Sequence, residues 1–136
     1  MNSINKVSAK EALQLVETVI EEAEKISKSV AVAVCGPEGE LISFVRMDEA
    51  SPAAARIAQN KAYTSARDRK TTKEMGERMT SSNRAPAFWG DARFTGFGGG
   101  IPIFSNYKVI GGIGVSGLSQ EEDELLANVA IKKVYG

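Results

Sequence analysis

Lys61 sits where a charge is costly. On a helical repeat it falls among Ala54, Ile57, Ala58, Ala62 and Ser65, inside the apolar stripe rather than opposite it. An ammonium there must reach solvent, pair with a carboxylate, or meet an anionic ligand. Arg46 and Asp48 are two residues apart, hence on one face if their strand extends that far, with Met47 on the other. Gly96-Phe97-Gly98-Gly99-Gly100 places bare backbone in a row, so amide N–H groups can face a ligand; its cost in chain entropy calls for a reason. Arg46, Asp48, Lys61, Gly99 and Gly100 therefore form the expected ligand-binding set. Two expectations follow from it. The Lys61 ammonium should lie within reach of Asp48 or of the glycine segment, and Lys61→Met should abolish anion binding while leaving the fold intact.

The residues that are missing narrow the chemistry further. Histidine is absent, which removes the commonest general base and the commonest metal ligand. No Ser/His/Asp set, zinc spacing or P-loop is found, so no catalytic residue and no metal site is assigned. Cys35 closes an apolar run with no histidine to activate it and reads as an inert buried thiol. Gly112 to Gly117 fits G-x-G-x-x-G, but Glu121, Glu122, Asp123 and Glu124 follow at a helix start and would repel a pyrophosphate. Those glycines instead predict an inner strand on which another element packs closely.

Lysine plus arginine and aspartate plus glutamate number 17 each, so the broad positive field of a nonspecific nucleic-acid binder is lacking. A single cysteine rules out an internal disulfide and fits a reducing, cytoplasmic setting. The N-terminal MNSINKVSAKEALQ shows no continuous apolar segment of a signal peptide, and no apolar run is long enough to span a bilayer. Neither a nucleic acid nor a membrane is expected as a partner.

The elements that must position these residues follow from periodicity. Ser8 and Glu11 have capping-box spacing before a helix over about 9–27, with Ala12, Leu13, Val16, Val19, Ile20, Ala23 and Ile26 as its stripe. Val30–Cys35 and Leu41–Met47 read as a hairpin around Gly36-Pro37-Glu38-Gly39. Ser51-Pro52 opens the helix that carries Lys61. Arg67-Asp68-Arg69-Lys70 reads as a solvated turn before a third helix from Thr71 or Thr72 to about Met79. A loop over 81–93 follows. Ile101–Phe104 and Lys108–Val115 are strands joined at Ser105-Asn106, and Ser119 with Glu122 caps a last helix. The reading is one α+β domain over 1–136, an antiparallel sheet of about five strands flanked by helices, in the order α-β-β-α-α-β-β-β-α. One of those strands is placed between the third helix and Ile101. A domain this small, with a long first helix and a small-residue helix over 52–66, is expected to be a homo-oligomer, at least a dimer.

Four segments carry a resemblance: Arg46-Met47-Asp48-Glu49-Ala50, Lys61-Ala62-Tyr63-Thr64, Gly99-Gly100-Ile101-Pro102-Ile103, and Ile113-Gly114-Val115-Ser116-Gly117 with acidic residues after it. In this order they resemble the GlcG/HbpS-like family, related to the C-terminal domain of PduO-type proteins. The resemblance implies an antiparallel sheet flanked by helices, self-association, and an accessory role near glycolate, propanediol or glycerol utilisation. It also makes haem a candidate cofactor, and in a chain without histidine only Cys, Met or Tyr could hold the iron. The residues leave the cofactor unknown, and taken with the resemblance they leave three roles open. One is a binding protein for a small anion or tetrapyrrole. The second is an enzyme on a small carboxylate or aldehyde with Lys61 or Asp48 as acid/base. The third is a structural partner of a diol-metabolising enzyme.

Overall fold

The computed structural model describes residues 5–136. Residues 1–4, part of the stretch read for a signal peptide, lie outside the described residues. The elements run α1 (Ala9–Lys25), β1 (Ala31–Cys35), β2 (Leu41–Arg46), α2 (Pro52–Asp68), α3 (Thr72–Ser82), a 3-10 turn (Pro86–Trp89), β3 (Gly100–Ser105), β4 (Lys108–Ser116) and α4 (Gln120–Tyr135). The sheet has four strands in the order β2-β1-β4-β3, each pair antiparallel.

Local chemistry sets the boundaries. Ser8 with Glu11, Thr71 with Glu74, and Ser119 with Glu122 each complete a reciprocal capping box at the head of α1, α3 and α4. Ser51 caps α2, its side chain accepting the Ala54 N–H, with Pro52 in the first turn. At the other end of α2 the chain leaves the helix through Arg69 in the left-handed region, at φ 61°, within the charge run that predicted a turn.

β1 is buried at every position because both faces of the sheet are covered. Val32 and Val34 face α1 and α4 in the main core, with Leu15, Val16, Val19, Ile113, Val115 and Leu126. Ala33 and Cys35 face the other way, against Ala62 and Ala66 of α2. The main core is branched aliphatic and the α2 side is built of small residues, so α2 lies very close to the sheet. A Cβ on Gly112 would sit 2.6 Å from the Ala62 carbonyl oxygen, and one on Gly114 would collide with that of Ala58. This is the close approach that the Gly112–Gly117 pattern predicts.

Three expectations need correcting. The fifth strand, expected between α3 and β3, does not form. Amides there are taken by side chains instead of a ladder: Thr95 N–H donates to Thr64 Oγ1 at 3.1 Å and Gly98 N–H to Gln120 Oε1 at 2.6 Å. The stripe of α1 is rotated, with Leu15 fully buried while Leu13 and Ile26 stand about half exposed, because the helix seats itself on residues 12, 15, 16, 19 and 23. The β3–β4 turn is centred on Asn106 and Tyr107, both at positive φ, one residue beyond the expected place.

Candidate functional site

The tight seating of α2 traps Lys61 between that helix, β4 and the start of α4. Its side chain is 3% exposed. Nζ donates to the Val115 carbonyl oxygen at 2.8 Å and to Asp123 Oδ2 at 3.1 Å. Asp123, in the first turn of α4, is 2% exposed, and its Oδ1 accepts the Leu118 N–H at 3.1 Å. Burial pushes the Lys61 pKa down and the Asp123 pKa up, and each opposes the other's shift by attraction and a hydrogen bond. The outcome is a closed ion pair spanning three elements.

The glycine segment is next to it. Gly99 is at φ 127°, and a Cβ there would sit 2.8 Å from Lys61 Nζ, so only glycine leaves room for the ammonium. Gly100 N–H donates to Thr72 Oγ1 at 2.8 Å, which removes it as a donor to a ligand. The structure thus brings Lys61, Gly99 and Gly100 together. Arg46 ends β2, the edge strand at the far side of the sheet from β3, and Asp48 follows it; both are exposed. Neither joins the Lys61 cluster through a hydrogen bond or ion pair. The lysine's partner is Asp123, a residue the sequence reading took only as one of four acids at a helix start.

The main concavity is lined by none of the residues of this cluster. It is a groove of about 710 Å³ between α3 and the segment leading into β3. Gly76 and Met79 of α3 form one wall, Phe94 and Phe97 the other, and Gln120 closes an end; Lys73 and Glu77 supply the charge. Its surface is mainly apolar, the usual make-up of a small-molecule site. Its outer wall is tied to α2. Tyr63 OH donates to Asp91 Oδ2, the Arg93 guanidinium lies 3.9 Å from the Tyr63 ring centroid, and Phe94 meets that ring edge-on at 5.9 Å. Thr64 Oγ1 donates to the Arg93 carbonyl at 3.3 Å while accepting the Thr95 N–H. The Arg93 guanidinium and the Tyr63 hydroxyl hold Asp91 well below the ordinary carboxylate range, so this tether stays charged. Sequence reasoning missed Met79, Phe94 and Phe97. The available signal was aromatic residues around glycines in a stretch with no periodic partner; Phe97 is 58% exposed.

An antiparallel sheet covered by helices on both faces, with a mainly apolar groove between α3 and the segment leading into β3, defines an α+β domain of sandwiched-sheet type. Residues 7–132 match the family model described as "Haem degrading protein HbpS-like", and the chain belongs to that GlcG/HbpS-like family, which is related to PduO. It is 41% identical to protein GlcG of Escherichia coli K12 over 96 residues, covering 71% of this chain and 70% of that one. It superposes on a double mutant of HbpS from Streptomyces reticuli with a TM-score of 0.90 at 27% identity, covering 100% of this chain and 91% of that one. A PduOC:heme complex aligns with a TM-score of 0.85 at 26% identity, over 93% and 94% of the two chains.

Proposed function

We propose that this protein binds a planar, largely apolar small molecule bearing carboxylates, of the tetrapyrrole class, in the groove between α3 and Phe94–Phe97. The carrying observation is the groove itself: mainly apolar walls with aromatic rings on one side, and at its charged part Lys73, the one cation of the lining among the described residues, to meet an acidic substituent away from Glu77. The PduOC:heme complex and the family description support the ligand class.

The residues fit the macrocycle better than they fit its iron. The sequence holds no histidine. Cys35 is 2% exposed at the end of β1, its thiol pushed up to about 12 by burial and by Glu40. The Tyr63 hydroxyl is committed to Asp91. Met79 is the soft donor on the groove wall. Binding therefore rests on apolar contact and charge, and the iron adds little. Of the residues first expected to hold ligand, none lines this groove: Lys61, Gly99 and Gly100 lie in the buried cluster with Asp123 and Thr72, and Arg46 and Asp48 lie at the β2 edge. An accessory role near glycolate, propanediol or glycerol utilisation belongs to the same proposal.

The test is an absorbance and fluorescence titration with haemin and with metal-free protoporphyrin. The two should bind within a few-fold of each other, and Phe97→Ala should weaken both by about tenfold, the effect of losing part of one buried aromatic face. Stoichiometric haemin binding with a sharp Soret band, and none of the metal-free ring, would overturn the reading.

A further inference from the structure

A second concavity, of about 260 Å³, lies where α2 meets the turn between β1 and β2, and it shares no lining residue with the groove. Arg56 and Asn60 stand one helical turn apart on its α2 wall, with Tyr63 on the next turn and Arg93 beside them. Arg56 has no carboxylate partner among the described residues. Arg93 spends Nε and Nη2 on Asp91, at 3.1 and 3.2 Å, and keeps Nη1 free of that pair. Opposite them is Glu40, whose Oε1 accepts the Glu38 N–H at 3.0 Å and so holds its carboxylate in the turn.

We propose that this pocket is a binding site for a small monocarboxylate that carries a hydrogen-bond donor next to its carboxyl group. The Arg56 guanidinium is a planar fork that matches a carboxylate through two parallel N–H donors, and the Asn60 amide can add a further donor. Glu40 then decides which carboxylate. A fixed negative charge on the far wall repels a second anionic group but accepts from a hydroxyl or ammonium, so the site disfavours dianions and plain fatty acids. The pocket is smaller than the usual drug-sized site, which limits it to compact metabolites. The two sites share no lining residue, and Arg56, Asn60 and Glu40, on which the inference rests, take no part in the Tyr63–Asp91–Arg93 tether of the groove wall.

Calorimetric titration of the full chain tests it, with lactate, propionate and inorganic phosphate as probes. Lactate should bind saturably with a Kd of about 1 mM or below, and propionate and phosphate at least about tenfold more weakly. Arg56→Met and, separately, Asn60→Ala should each weaken lactate by about tenfold or more with thermal unfolding unchanged, since both side chains lie on the outer side of α2. Glu40→Gln should narrow the gap between lactate and phosphate. No saturation by roughly 10 mM lactate, equal binding of all three probes, or wild-type affinity in Arg56→Met overturns the proposal.

Discussion

Replacing Lys61 by methionine tests the buried pair most directly. Methionine keeps most of the stem's packing, so the loss is mainly electrostatic. It leaves Asp123, 2% exposed, with the Leu118 N–H as its remaining donor, and it removes the donor to the Val115 carbonyl. Breaking one side of a buried ion pair costs about 3–5 kcal/mol. At roughly 4 °C per kcal/mol for a domain of this size, Tm at pH 8 falls by roughly 12–20 °C. The sequence-based expectation that this variant leaves the fold intact had Asp48 or a ligand as the partner; with Asp123 as the partner a loss of stability is expected instead. The pH dependence supplies the sign. Burial already raises the Asp123 pKa, and removing the ammonium raises it further. In the variant the folded state then holds a proton that the unfolded chain releases, so stability grows as pH falls through the folded value. The gain is complete below the ordinary aspartate value of 3.8. Thermal unfolding by circular dichroism at pH 5 and pH 8 reads both effects: the variant should lose less at pH 5. Adding Asp123→Asn should restore much of the pH 8 loss by removing the orphaned charge. A Tm within about 4 °C of wild type at pH 8, or a loss independent of pH, refutes the reasoning.

Other consequences can be checked as simply. Gly114→Ala drives a Cβ into the Ala58 carbonyl, a backbone atom that cannot turn aside, and should cost about 1–3 kcal/mol or more in denaturant titration. Cys35 should resist a thiol reagent at pH 8 in the native state and react at once in denaturant. Burial pushes the Cys35 thiol up to about 12 from the ordinary 9.0, so its contribution to stability falls as pH rises from 9 towards 12, and Cys35→Ala should lessen the alkaline decline that Tyr63 and Tyr135, also raised, share. Self-association is expected, since Leu41, Phe104 and Tyr107 are exposed apolar side chains on or beside the edge strands, and light scattering at micromolar concentration should show at least a dimer.

How much was legible in the sequence depends on whether a signal was local. Capping boxes and turn residues announce themselves within a few positions, so α2, α3 and α4 start close to where Ser51, Thr71 and Ser119 say they should. The stripe on α1 was ambiguous because Leu13 and Leu15 are both apolar, and packing chose between them. The missing fifth strand had glycines and no ladder partner; side chains of Thr64 and Gln120, distant in sequence, claimed its amides. Lys61 was legible as an anomaly because its neighbours on the stripe are small and apolar. Its partner was not, since the pairing of residue 61 with residue 123 is a property of the assembled fold. The groove was hardest to foresee, because its walls come from a helix face and an irregular segment that share no period.

The Lys61–Asp123 pair also bears on the order of assembly. Its two residues are 62 positions apart, and the lysine is satisfied only when α2, β4 and the head of α4 are all docked. Closing so long a loop is entropically slow, and a half-docked state would hold a desolvated charge without its counterion. The pair therefore favours an all-or-none final step over gradual zippering. Its free energy should appear mainly as a slower unfolding rate rather than faster folding, so that the core opens rarely even where overall stability is modest.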